Sequence, residues 1–161
     1  MLQKFNYFDV DHAIAEHDRI LQKTGGRPGI LNLGLVESPI EFIQNDDYYP
    51  ELTDKLTHLV FSFAKNHGFN DGNKRSSIVL GSFFLQINGY GGLVDRFIIE
   101  MENVVLCTAA DVISKDGLWQ INADLIENGE LGEESKLMLI AAMEEYARLE
   151  AERLSEEQSP Q

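Results

Sequence analysis

Residues 66–77 read Asn66-His67-Gly68-Phe69-Asn70-Asp71-Gly72-Asn73-Lys74-Arg75-Ser76-Ser77. This stretch packs an imidazole, a carboxylate, two glycines, several amides and two cations into twelve residues. Upstream, Leu52, Leu56, Leu59, Val60 and Phe63 recur at helical spacing, which predicts a helix over 51–65 with one buried face. Downstream, Ile78, Val79, Leu80, Phe83, Phe84, Leu85 and Ile87 surround the axis of a helix over 73–87, the pattern of a buried central helix. The polar residues 66–72 therefore join two packed helices, and the fold class follows as all-α, a helical bundle around that central helix.

Working outward, Val10, Ala13, Ile14, His17, Ile20 and Leu21 predict an amphipathic helix over 9–23 with Asp9 as N-cap. The run from Thr24 to Gly29 breaks it. Ile30 to Val36 reads as extended, a small hairpin, and Ser38-Pro39 as the start of a short helix through Gln44. Asn88-Gly89 is a helix stop. Further helices are expected over 97–110, 118–128 and 133–154, with Ser114 to Gly117 as a loop and Gly129 as a stop. The last helix carries an apolar stripe of Leu139, Met143, Tyr146 and Leu149, and residues 155–161 read as disordered. The domain division is 1–129 for the core and 130–161 for an acidic C-terminal helix and tail.

The formal net charge is −14. A nucleic-acid surface needs clustered Lys and Arg, so direct nucleic-acid binding is not expected. Residues 127–157 hold ten acidic and three basic side chains, half of the acidic excess. No basic leader followed by an apolar run and no membrane-length apolar stretch is visible, which points to a cytoplasmic protein. The single cysteine, Cys107, lies in an apolar helical run and reads as a buried, inert thiol.

The chemistry concentrates in the opening stretch. Asn73 and Lys74 fall in the first turn of the central helix, where backbone N–H groups lack partners and the dipole is positive. Gly72 permits close backbone approach, and Lys74 and Arg75 add full charges, so Gly72, Asn73, Lys74 and Arg75 form a candidate phosphate site. Asp71 supplies a hard oxygen for Mg²⁺, which commonly takes one carboxylate plus substrate phosphates. His67, four residues before Asp71, is the candidate base for a hydroxyl. Phe69 alternates with these polar groups and is read as a core anchor.

At these residues the chain resembles the Fic/Doc family, whose Fic pattern is H-x-F-x-[D/E]-G-N-G-R-x-x-R. His67, Phe69, Asp71, Gly72, Asn73 and Arg75 match it. Lys74 stands where the pattern has glycine, and Ile78 where it has the final arginine. Both departures are those of the Doc (death-on-curing) branch, whose loop reads H-x-F-N-D-A-N-K-R; Asn70 and Lys74 follow it, while Gly72 replaces its alanine. His17-Asp18, the segment 25–29, Phe83-Phe84-Leu85 and Asn88-Gly89 extend the similarity over about residues 9–128.

The resemblance implies transfer of a phosphate-containing group from ATP, with Mg²⁺, to a protein hydroxyl. His67 would be the base, Asp71 the metal ligand, and residues 72–75 the phosphate site. The Doc branch implies a toxin that phosphorylates a threonine of elongation factor Tu and is blocked by an antitoxin in trans. The Fic branch implies AMP transfer, and a non-catalytic binding module of the same fold is a third reading. Lys74 fills room that a glycine would leave for an α-phosphate, and Ile78 removes a second phosphate clamp, which favours kinase chemistry. Residues 30–36 are the candidate for the family's β-hairpin flap. Fic self-inhibition uses [S/T]-x-x-x-E-[G/N]; Glu127-Asn128 matches half of it, with Ala123 in place of the hydroxyl residue. The helix over 133–154 is read as packing its stripe on the domain, with oligomerisation or occupation of the antitoxin groove as the other reading.

Overall fold

The structure is a computed structural model that describes residues 3–159. The described residues form seven α-helices: α1 (Val10–Thr24), α2 (Leu33–Phe42), α3 (Leu52–Lys65), α4 (Asn73–Ile87), α5 (Val94–Ala109), α6 (Lys115–Asn128) and α7 (Glu133–Glu157). A single 3-10 turn, Gly91–Leu93, leads into α5. No strand occurs among the described residues; the one β-type pairing is an isolated bridge between Ile30 and Phe69. The all-α expectation holds.

Helix α4 is the centre, with α1, α3 and α5 packed around it. Leu80, Phe84 and Leu85 are buried, and Ile78, Val79, Phe83 and Ile87 are half-buried on its other sides. Gly81 sets the closest approach: a Cβ there would stand 3.0 Å from both Phe97 Cζ and Val60 Cγ2. Helix α2 rests on α1 and α3, α6 on α3 and α5, and α7 on α5 and α6. A fully buried lysine joins α2 to α3: Lys55 Nζ donates to Ile43 O at 2.6 Å and to Asp46 Oδ1 at 2.7 Å. Its ammonium also lies 4.9 Å from the Phe5 ring centroid. The charge thus satisfies a carbonyl at the end of α2 that would otherwise lack a partner.

Several boundaries differ from the sequence expectation. Residues 30–36 form no hairpin. Asn32 caps α2 by accepting from the Leu35 N–H, and the helix starts at Leu33, so Ser38-Pro39 falls inside it. Val36, Pro39, Ile40 and Ile43 are buried, and that apolar face outweighs the N–H that proline lacks. Ser114 caps α6 through the Gly117 N–H, so the helix begins at Lys115 rather than Leu118. Helix α7 continues to Glu157, and residues 155–157 are helical rather than disordered; Arg153 pairs there with Glu150 and Glu157. Residues 160–161 lie outside the described residues. In the α7 stripe Leu139 is buried and Tyr146 and Leu149 half-buried, but Met143 is exposed. Cys107 is buried as expected, and burial raises its thiol pKa. No helix among the described residues is long and apolar enough to cross a membrane.

Candidate active site

The loop between α3 and α4 is held from both sides. Helix α3 ends at Lys65, Asn66 is its C-cap, and His67 follows outside the helix with φ 49°, an exposed left-handed residue. Gly68 is buried against α2, where a Cβ would meet Val36 Cγ2 at 2.9 Å. Its carbonyl accepts from Leu31 N–H at 2.9 Å and Asn32 N–H at 3.0 Å, and Asn70 N–H donates to Gly29 O at 3.1 Å. Of the segment 30–36 expected as a target-binding flap, Leu31 and Asn32 thus spend their N–H groups on the loop itself, and residues from Leu33 on belong to α2. Phe69 is fully buried and stacks on His17, with ring centroids 3.7 Å apart and planes 4° from parallel. The Phe69 backbone is fixed by Asn73: its Nδ2 donates to Phe69 O at 2.9 Å, and its Oδ1 accepts from Phe69 N–H at 3.0 Å.

These contacts shape a cleft of about 380 Å³ lined by Arg27, Ala64, His67, Asn70, Asp71, Gly72, Asn73, Lys74, Arg75 and Ala109. All six residues predicted for the site are in it. Asp71 accepts from Arg27 N–H at 3.1 Å and from Gly72 N–H at 2.8 Å, and Arg75 Nη2 stands 3.7 Å away. The two backbone N–H bonds, with smaller help from the Arg75 and Arg27 charges, hold its carboxyl below the ordinary carboxylate range. An ionised carboxylate has about four acceptor positions, so two amides leave it able to hold a hard cation. The start of α4 has no side-chain cap, and Gly72 before it is left-handed at φ 77°. Of its first amides, Ser76 N–H bonds Gly72 O at 2.9 Å. The dipole and the exposed Lys74 therefore meet at an open helix end.

Two of the predicted phosphate residues have side chains bonded within the protein. The Asn73 side chain is committed to Phe69, so what it offers an anion is backbone. The Arg75 guanidinium donates to Thr24 Oγ1 and to Gly25 O, the latter at 2.8 Å, tying α4 to the end of α1. Glu127 is exposed at the end of α6 and does not line the cleft.

Sequence reasoning missed His17 and Arg27 as parts of the site. Buried His17 places Nε2 2.7 Å from Asp71 O, which makes Nε2 the protonated, donating nitrogen. Arg27 supplies its amide to Asp71 and its Nη2 to Asn70 O at 3.3 Å. The usable signal lay in Gly26: a Cβ there would stand 2.8 Å from Asp71 Oδ2, so the glycine marks where the 24–29 turn touches the loop.

A family model described as the Fic/DOC family matches residues 7–85. Residues 7–85 belong to the Fic/Doc family. The matched span holds α1 to α3, α4 as far as Leu85, and nine of the ten cleft-lining residues, leaving Ala109 outside it. Among curated relatives, "Protein kinase doc" of Escherichia phage P1 is 37% identical over 83 residues, 49% of this chain and 65% of the relative. "Toxin Doc" of Mycolicibacterium smegmatis (strain ATCC 700084 / mc(2)155) is 38% identical over 69 residues, 40% of this chain and 53% of the relative. The matched stretch is thus less than two thirds of either relative's length. Within the matched span, His67 and Asp71 sit at the mouth of α4, and α5 to α7, outside that span, complete the body by packing on it and on each other.

Proposed function

We propose that this chain is a Doc-like toxin that transfers the γ-phosphoryl group of ATP to a protein hydroxyl, with an antitoxin acting in trans in the cytoplasm. The observation that carries the reading is the single cleft holding exposed His67, ionised Asp71 and the open, lysine-flanked start of α4. The names of the two relatives, a kinase and a toxin, support it. The target hydroxyl oxygen forms the new bond to the γ-phosphorus, the bond to the β–γ bridging oxygen breaks, ADP leaves, and the hydroxyl proton passes to the His67 imidazole. The α4 amides and Lys74 hold phosphate oxygens, and Arg75 and Arg27 keep Asp71 in place. Asp71 is the residue that would hold Mg²⁺, which supplies charge neutralisation for the phosphates when bound. A threonine of elongation factor Tu, which the resemblance names, is the first target to test.

AMP transfer is the second reading, because Gly72 follows the Fic pattern rather than the Doc alanine. ATP labelled at the α or the γ phosphate separates the two. The kinase reading expects label from γ alone, and transfer from α alone overturns it. His67→Ala should lower transfer about 10²- to 10⁴-fold, the usual size of a general-base contribution. Undiminished toxicity of that variant would favour a non-catalytic module.

A further inference from the structure

Beyond the cleft, the turn before α3 and the start of α6 enclose a pocket of about 130 Å³. Its walls include three aromatic rings, Tyr48, Tyr49 and Trp119, and it is also lined by the carboxylates Asp54 and Asp116 and by Lys115. Tyr48 is 78% exposed and Trp119 43% exposed, so ring surface is open to solvent. The walls are pre-set. Trp119 Nε1 donates to Asp54 Oδ1 at 2.8 Å, while Asp54 Oδ2 accepts from Glu51 N–H at 3.0 Å. Tyr49 OH stands 3.1 Å from His58 Nδ1, with the two rings 4.6 Å apart. Lys115 Nζ lies 2.9 Å from the same Nδ1, over the Phe61 ring at 5.6 Å and over the Tyr49 ring at 5.7 Å, so its charge is engaged within the protein and Tyr48 and Trp119 are the rings left open. Two carboxylates against one engaged ammonium leave an aromatic box with acidic excess.

We propose that this pocket takes a cationic side chain, arginine in preference to lysine, from a protein that docks on this face. A planar guanidinium stacks on aromatic faces and pairs with carboxylates, and the −14 net charge of the chain favours approach of a basic surface. The position relative to the cleft is telling. Asp54, Thr57, Phe61 and Ala64 follow the spacing of one face of α3. Asp54 and Thr57 line the pocket, and Ala64 lines the cleft. Seven helical residues from Thr57 to Ala64 rise about 10 Å, a span that about three extended residues cover. A docked segment with arginine about three residues from its hydroxyl residue reaches both sites. The assignment to a target segment rests on the phosphotransfer reading above; binding in the pocket does not.

Trp119 is the only tryptophan, so the full chain has one indole N–H resonance. The probes are the blocked peptide Gly-Gly-Arg-Gly-Gly and its counterparts with citrulline or lysine at the centre. The arginine peptide should shift the Trp119 resonance to saturation, and the citrulline peptide should not. Tyr48→Ala and Asp116→Asn, both at exposed positions, should each weaken binding about fivefold, the loss of one cation–π or ionic contact. A non-saturating shift, an equal response to citrulline, or indifference to both variants overturns the pocket. A lysine peptide binding as tightly overturns the arginine preference. His67→Ala should retain the full shift, so loss of transfer and loss of pocket binding are read separately.

Discussion

Asp71 shows how a single carboxylate is kept ready. Its largest stabilisers are backbone N–H groups of Arg27 and Gly72, and the arginine charges come after them. The amides are set by the fold, because Gly26 lets the 24–29 turn approach and His17 grips the Asp71 carbonyl. Arg27→Ala should therefore leave most of the depression intact. NMR titration of Asp71 in that variant is expected to give a midpoint still below the ordinary 3.8. A return to 3.8 would mean that the guanidinium, not the amide, holds the charge. The sign for stability follows: a carboxyl with a lowered folded-state pKa stabilises above its ordinary value, and the benefit is lost as pH falls below it.

At the scale of elements, the start of α4 does two jobs with one asparagine. Asn73 lies in the first turn that reads as an anion site, yet its side chain bridges back to both polar groups of Phe69. Asn73→Ala should remove both bonds and leave buried backbone groups unpaired, costing about 2–4 kcal/mol in denaturant unfolding. A loss below about 0.5 kcal/mol would show that the clamp is not structural. Helical spacing made α1, α3 and α4 legible, because each has one strong apolar pattern and a clear stop. It failed at α2, where glycine and proline suggested a turn and a later start, while the buried Val36, Ile40 and Ile43 decided the helix through long-range packing. The site residues were legible because they are close in sequence. Arg27 and His17 were not, since their contacts with Asp71 span 44 and 54 positions. Nor does spacing disclose that buried Lys55 caps α2, because a lysine in a helix ordinarily reads as exposed.

Across the whole molecule, stability is spread unevenly. Helix α7 buries Ser135, Leu139 and Ala142 on the body, whereas Ala151 to Glu157 are exposed and held by pairs within the helix. A chain ending at Glu150 should melt within about 2 °C of the full chain, since exposed i,i+4 pairs contribute little. A chain ending at Gly132 should lose about 3 kcal/mol or more, because Leu139 and its seat become exposed. The cluster where the 45–50 turn, α3 and α6 meet sets the acid response. His58 faces Lys115 and Tyr49 at Nδ1 and Ser62 at Nε2, and burial followed by the Lys115 charge lowers its pKa from 6.5 to about 4. The unfolded chain therefore binds a proton there between pH 6.5 and about 4 that the folded chain refuses. The resulting stability is complete above 6.5 and drains away as pH falls through that window. His58→Gln keeps an acceptor near Lys115 without titrating. Its Tm should fall less than that of the parent chain between pH 7 and pH 5, on a scale of about a few degrees. Equal falls in the two chains would remove His58 as the acid-sensitive group and return that role to the carboxylates.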